Sequence, residues 1–386
     1  MCTASLYIHI PFCTRKCTYC DFFSVPSPNN LESSLLPGFI ASISDELDSR
    51  FSVFNIQNVK SLYIGGGTPS LLSADTIEKL AQAIRTHIPS GISSDIEWTI
   101  EANPEDLSPG WLDACARSGI NRISTGMQTL SVQSFAAIGR RGSVQQNLKA
   151  LELLSQYWQK PYSVDLISGL PFQTQKTLLS DISTVSSYSP HHISLYALTL
   201  EQGTQMAQQV LSGAIEIPKD EDADLLWING RDRLEDTGYM QYEVSNFSKP
   251  GYECVHNMTY WNLESYIGIG PGATGSITRE DTATRYTNTC DIEEWMHNPG
   301  STESETIDRN SFMLENLMMG FRKKQGLSLT EFKKRFSCDL ESIIPRTLAK
   351  WTESGHAYIE QDSVMLTRDG LLLLNKFLSD CLSELD

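Results

Sequence analysis

"LYIHIPFCTRKCTYCDFF", residues 6–23, runs from five apolar or aromatic-flanked positions straight into three cysteines, Cys13, Cys17 and Cys20, spaced C-x3-C-x2-C. The first five residues read as a strand, so the thiols follow its C-terminal end. The same order recurs along the first 200 residues. Further strand candidates are "SLYIGG" (61–66), "IEWTIEA" (96–102), "NRISTGMQ" (121–128), "YSVDLISG" (162–169) and "HHISLYAL" (191–198), with helical stretches at 31–50, 73–88, 131–157 and 174–187 between them. Six strand–helix repeats predict an α/β fold with a parallel sheet and helical crossovers. Periodicity leaves an open sheet and a partial barrel both open. Either one carries its functional groups just past the C-terminal strand ends. There the chain places the cysteine loop, "GGGTP" (65–69), "EANPED" (101–106), "GMQ" (126–128) and "DLISGLP" (165–171).

Length and composition set outer bounds. The 386 residues, 40% of them hydrophobic, suffice for one large core and a smaller appended unit. No apolar run is long enough for a bilayer, and the N-terminus lacks the basic-then-apolar order of a secretory leader. Nine cysteines with a single cluster suit a reducing cytoplasm better than a stapled secreted fold. A formal charge of −17 opposes a phosphate backbone, which makes nucleic acid a poor partner. Residues 310–386 carry 10 Lys+Arg against 11 Asp+Glu, so nearly all of the acidic excess lies earlier.

The chain divides into residues 1–200, an irregular stretch 201–309, and a tail 310–386. The middle stretch holds an acidic helix near 219–237 and the segment "HNMTYWNLESYIGIGPGATG" (256–275). In the tail, helices near 310–321, 328–336 and 341–354 precede the hairpin "AYIEQDSVMLT" (357–367) and a last helix. That order is winged-helix-like. Near-neutral charge favours docking over DNA binding, and the split cluster "RKK" (322–324) and "KKR" (333–335) reads as a solvated helix face.

Three thiols in one short loop, with no second C-x2-C later, do not make a closed zinc site of two pairs. Three thiolates leave one iron of a [4Fe-4S] cluster open. The spacing favours a cluster, with zinc or coincidence as alternatives.

"YIHIPFCTRKCTYC" followed by "GGGTP" resembles the radical S-adenosylmethionine (SAM) superfamily, in particular the HemN-like group of coproporphyrinogen III dehydrogenases and, nearest within it, the HemW group of heme chaperones. The resemblance spans essentially the whole chain. It implies a partial (β/α)6 barrel with a small C-terminal helical, winged-helix-like domain, a [4Fe-4S] cluster on Cys13, Cys17 and Cys20, and SAM as cofactor. The positions it assigns to SAM are Tyr7, Tyr19, Gly66, Gly67, Thr68, Glu101, Gln128, Arg140 and Asp165. The glycine run 65–67 would let a backbone edge approach the methionine end of SAM. Glu101 taken alone would be a solvated turn residue.

Two features choose within the group. The dehydrogenases carry a further cysteine two residues after the third, where this chain has Phe22, expected as an apolar plug beside the cluster. Arg140 is followed by Arg141-Gly142, where relatives commonly read Arg-x-His, so Arg141 competes for the arginine role. "HNMTYW" (256–261) matches the motif linked with heme, with His256 as axial ligand and Cys254 as a second candidate. The resemblance thus implies a heme chaperone that delivers heme to acceptor proteins, respiratory ones among them, and takes an electron from a donor. Transient docking on a membrane protein is compatible with this. The competing readings are an oxygen-independent coproporphyrinogen III oxidase (dehydrogenase) of porphyrin biosynthesis and a radical SAM methyltransferase.

Overall fold

A computed structural model describes residues 2–28 and 31–385. Six parallel strands succeed one another in chain order: β1 (Cys2–Ile10), β2 (Ile56–Gly66), β3 (Glu97–Ala102), β4 (Arg122–Gln128), β5 (Tyr162–Ser168) and β6 (His192–Ala197). All six expected strands form, so the sheet and its crossovers are those the repeats require. The sheet does not close. Beyond β1 it continues through Tyr266–Ile269, paired parallel, into antiparallel strands Thr274–Arg279, Thr282–Asn288 and Thr302–Ile307. Beyond β6 it ends in Asn246–Ser248 and Met240–Gln241. The supposedly irregular middle stretch therefore extends the same sheet at both edges.

Alternation along the six strands separates two faces. Leu6, Ile8, Leu62, Ile64, Trp98, Ile100, Ile123, Val164, Leu166, Ile193 and Leu195 belong to one continuous buried core. The opposite parity is polar: Ser5, Tyr7 and His9, then Ser61 and Tyr63, then Glu97, Thr99 and Glu101, and across the sheet Arg122, Ser124, Ser163, Asp165, His192 and Ser194. Register aligns these residues in tiers, with Tyr63 beside Thr99 and Arg122, and Glu101 beside Ser124, Ser163 and His192. A polar inner face is what a half-barrel built to hold a ligand presents.

The helices depart from expectation at particular residues. The stretch 131–157 is two helices, Val132–Ala137 and Val144–Tyr157. Gly139 (φ 64°) and Gly142 (φ 89°) both stand in the left-handed region, which breaks the helix and frames Arg140 and Arg141 in a tight turn. The first helix starts later, Leu36–Phe54, after a π turn, and a helix at Pro109–Arg117, capped by Ser108, was not foreseen. Pro345 opens a new helix, Pro345–Glu353, and so divides 341–354.

The C-terminal helices enclose their own core of Phe312, Phe321, Phe332, Phe336, Trp351 and Phe377. A three-stranded sheet, Leu327–Ser328, Ser363–Leu366 and Ala357–Glu360, completes a winged-helix arrangement. Three of its lysines are paired: Lys323 donates to Asn262 Oδ1 (2.7 Å), Lys333 pairs with Asp339 and Lys334 with Glu331. Among the described residues no helix is long and apolar enough to cross a membrane.

Candidate functional site

The cysteine loop is pinned at its base. Phe12–Cys13 pairs in parallel with Val25–Pro26, and the Thr18 and Met206 amides bond to Ile138 O (3.1 Å) and Thr18 O (2.8 Å). His9, which the sequence reading passed over, ties the loop to the sheet. Its Nε2 donates to Phe23 O (2.9 Å), so Nδ1 is the unprotonated nitrogen and accepts from the Tyr7 hydroxyl (3.0 Å). Burial holds this imidazole neutral by lowering its pKa.

All three thiols line one cavity of about 560 Å3, which runs from the loop down the polar face of the half-barrel. Burial raises the Cys17 and Cys20 thiols, and Cys13 Sγ lies 3.3 Å from Thr68 Oγ1. Among the described residues no three His, Cys, Asp or Glu side chains converge on a single-ion site. Three free thiols around one open cavity fit a polynuclear group, whose ligands bind separate metal atoms, better than a lone zinc.

Tyr19, Gly66, Gly67, Thr68, Glu101, Gln128, Arg140 and Asp165 line the same cavity. Tyr7 and His256 do not. Glu101 is no solvated turn residue: Oε1 accepts from the Tyr63 hydroxyl (2.9 Å) and Oε2 from Gly66 N (3.2 Å). Burial pushes its carboxyl up to about 7, against the Tyr63 bond. Asp165 accepts from Ser194 (2.7 Å) and Ser124 (3.3 Å), and burial raises it too. Gln128 sits at φ 65° beyond a register shift in β4, and Gly126 leaves the room that its amide and Arg140 fill.

The two arginines divide cleanly. Arg141 also lines the cavity, but its guanidinium is committed to Glu105 (2.8 Å) and Asp106. Arg140 is half-buried, donates to Asn103 Oδ1 (2.5 Å) and keeps its Nε, itself buried, without a partner among the described residues.

One expectation, that of Phe22, needs correction. The glycine run, whose Gly66 and Gly67 line the cavity, packs tightly on its Cβ side. A Cβ on Gly66 would stand 2.6 Å from the His9 ring, one on Gly67 2.8 Å from backbone of Pro11 and Phe12, and one on Gly65 2.9 Å from Glu101. The run is required by the site's own packing. Phe22, 70% exposed, stands on the rim of the cavity and plugs nothing.

The "HNMTYW" segment forms the helix Val255–Trp261, held at the start of β3: Glu97 accepts from Val255 N (3.1 Å) and His256 N (2.9 Å). It therefore lies at the opposite end of the strands from the thiols. His256 is 1% exposed, and both its ring nitrogens are engaged. Ser61 donates to Ser5 (2.7 Å), so its oxygen takes the His256 Nδ1 proton (2.9 Å), while Nε2 accepts from Tyr260 (2.9 Å). Burial depresses the ring to about 3. The face of this motif turned to the cavity is Asn257. Cys254 is buried against Glu97, its thiol pushed up to about 12 chiefly by burial.

A half-open α/β barrel with three thiols after its first strand and a glycine turn after its second defines a radical SAM protein. Residues 7–185 match the Radical SAM superfamily and residues 307–373 the HemN C-terminal domain. The heme chaperone HemW of Lactococcus lactis is 34% identical over 97% of both chains, that of Escherichia coli K12 33% over 98% of both, and that of Bacillus subtilis 32% over 99% of this chain and 100% of its own. The chain belongs to the HemW family of this superfamily. In fold it is similar to Escherichia coli coproporphyrinogen III oxidase (HemN), a radical SAM enzyme, with a TM-score of 0.82 at 19% identity over 98% of this chain and 90% of that one.

Proposed function

We propose that this protein is a cytoplasmic heme chaperone that holds a [4Fe-4S] cluster on Cys13, Cys17 and Cys20, binds SAM beside it, and passes heme to acceptor proteins. The observation that carries the proposal is kinship with HemW along the entire chain, joined to a cavity that three free thiols and a polar half-barrel share. When bound, a cluster with three thiolate ligands supplies an iron open to SAM and an electron. The protein's part is positional. Glu101 and Asp165 would accept hydrogen bonds from polar groups of SAM and Arg140 would offer its Nε, with Tyr19 and Gln128 lining the same cavity. Exchange of cargo involves heme-receiving proteins and an electron donor outside this chain.

His256 serves as axial ligand only if the Tyr260 hydroxyl leaves Nε2. Heme titration of anaerobically prepared protein therefore includes both partners. Wild type is expected to take up about one heme per chain, Tyr260→Phe to free Nε2 and shift the heme spectrum, and His256→Ala to lose that shift. Absence of heme binding by wild type refutes the proposal. Iron analysis checks the cluster independently: Cys13→Ala, Cys17→Ala and Cys20→Ala should each lose about four irons, and Cys115→Ala none.

A further inference from the structure

Below Asp165 the cavity reaches a floor lined by Ser163 and His192, which share the tier of Glu101, by Tyr63 and Arg122 one tier deeper, and by Asn257. Arg122 is 6% exposed, and its guanidinium carries five N–H donors. Among the described residues its one ion pair is Nε to Glu97 Oε2 at 4.0 Å, and it makes no side-chain hydrogen bond. Glu97 is meanwhile occupied with the Val255 and His256 amides and the Cys254 thiol. Asp165, within electrostatic reach of Arg122, already accepts from Ser194 and Ser124, and His192 spends its nitrogens on Ser163 and Tyr242, both at 2.8 Å. Asn257 lines the same floor, and its side-chain amide makes no hydrogen bond among the described residues. A buried cation with unused donors is costly unless a ligand completes it.

We propose that Arg122 and Asn257 form a carboxylate-binding subsite at the floor of the half-barrel. One arginine, no lysine, and Asp165 above them suit a planar monoanion that the guanidinium grips with two donors, and not a phosphate dianion. The carboxylate arrives on a small organic acid or as an acidic arm of heme. The second source rests on the heme reading above, and the first does not.

Equilibrium dialysis of the cluster-loaded protein with radiolabelled propionate tests the subsite, and parallel titrations with heme and heme dimethyl ester separate the sources. Wild type should retain propionate saturably. Arg122→Gln and Asn257→Leu should each weaken retention about tenfold or more. Arg122→Gln strips Glu97 of its counter-charge, so Asn257→Leu, which touches no ion pair, keeps the test sound if the first variant fails to fold. Heme bound about tenfold more tightly than its ester, with the preference lost in the variants, assigns the carboxylate to heme. Propionate retained without heme binding keeps the subsite and ends the heme reading. Heme bound without preference, and propionate not retained, ends the subsite and leaves the heme reading standing. Retention unchanged in both variants also overturns the proposal.

Discussion

Gly66 and His9 show how one residue constrains another across the site. With φ at 111° and a Cβ position 2.6 Å from the His9 ring, Gly66 admits no side chain without backbone strain and a collision. Gly66→Ala is expected to lower unfolding free energy by about 2–4 kcal/mol in urea titrations. Adding His9→Ala should remove the collision and leave the φ strain, giving a coupling of about 1 kcal/mol in the double-mutant cycle. Strict additivity would show that the imidazole does not bear on Gly66. This scale also marks what sequence reading reaches. The cysteines and glycines were legible because their residue types restrict chemistry and backbone. Gln128 and Arg140 carry no such signal and came only through family resemblance. His9, Arg122 and Asn257 were missed, although parity held a clue for the first, which shares its strand's inward register with Tyr7; the register shift before Gln128 denies Arg122 the same clue.

Among the elements, the helix Val255–Trp261 differs most from its expected use. Taken alone, its histidine beside aromatics reads as a satisfied core residue, and only the family resemblance makes it a heme ligand. Folded, it fastens the start of β3 to β1 and β2 through a one-directional relay, from His256 Nδ1 to Ser61, Ser5 (2.7 Å), Thr259 (2.8 Å) and Val255 O (3.2 Å). Ser61→Ala leaves the Nδ1 proton buried without an acceptor and should cost about 1–3 kcal/mol of stability while sparing iron content at the far strand ends. Loss of iron together with stability would contradict that separation. The strands themselves were the most legible elements, because six alternating segments with polar C-terminal ends admit few topologies. The helix of residues 131–157 was misjudged because its apolar period runs on through Gly139 and Gly142, and only their left-handed backbone breaks it.

At the scale of the whole molecule, acid response depends on buried groups of opposite sign. Glu243 sits where the barrel meets the C-terminal unit, its backbone bridging to Lys323, with Oε1 unpartnered among the described residues. Burial raises both Glu243 and Glu101 to about 7, above an unfolded value near 4.5. The folded protein therefore binds more protons than the unfolded chain between pH 7 and 4.5, and these two glutamates stabilise it as pH falls through that window. His256, lowered to about 3, and His9 and His192, also lowered by burial, act the other way: below about 6.5 the unfolded chain takes up protons that the folded one refuses. With two glutamates set against three histidines, stability should fall only gently from pH 6.5 to 4.5. Below that, the glutamate contribution is complete while the histidine loss continues towards pH 3, and the protein should unfold steeply. Glu243→Gln removes one stabilising proton, so its stability should fall relative to wild type by about 1.4 kcal/mol per pH unit between pH 6.5 and 4.5. Urea titrations of both proteins at half-unit intervals measure this, and parallel curves across the window would place the Glu243 proton outside the folding equilibrium.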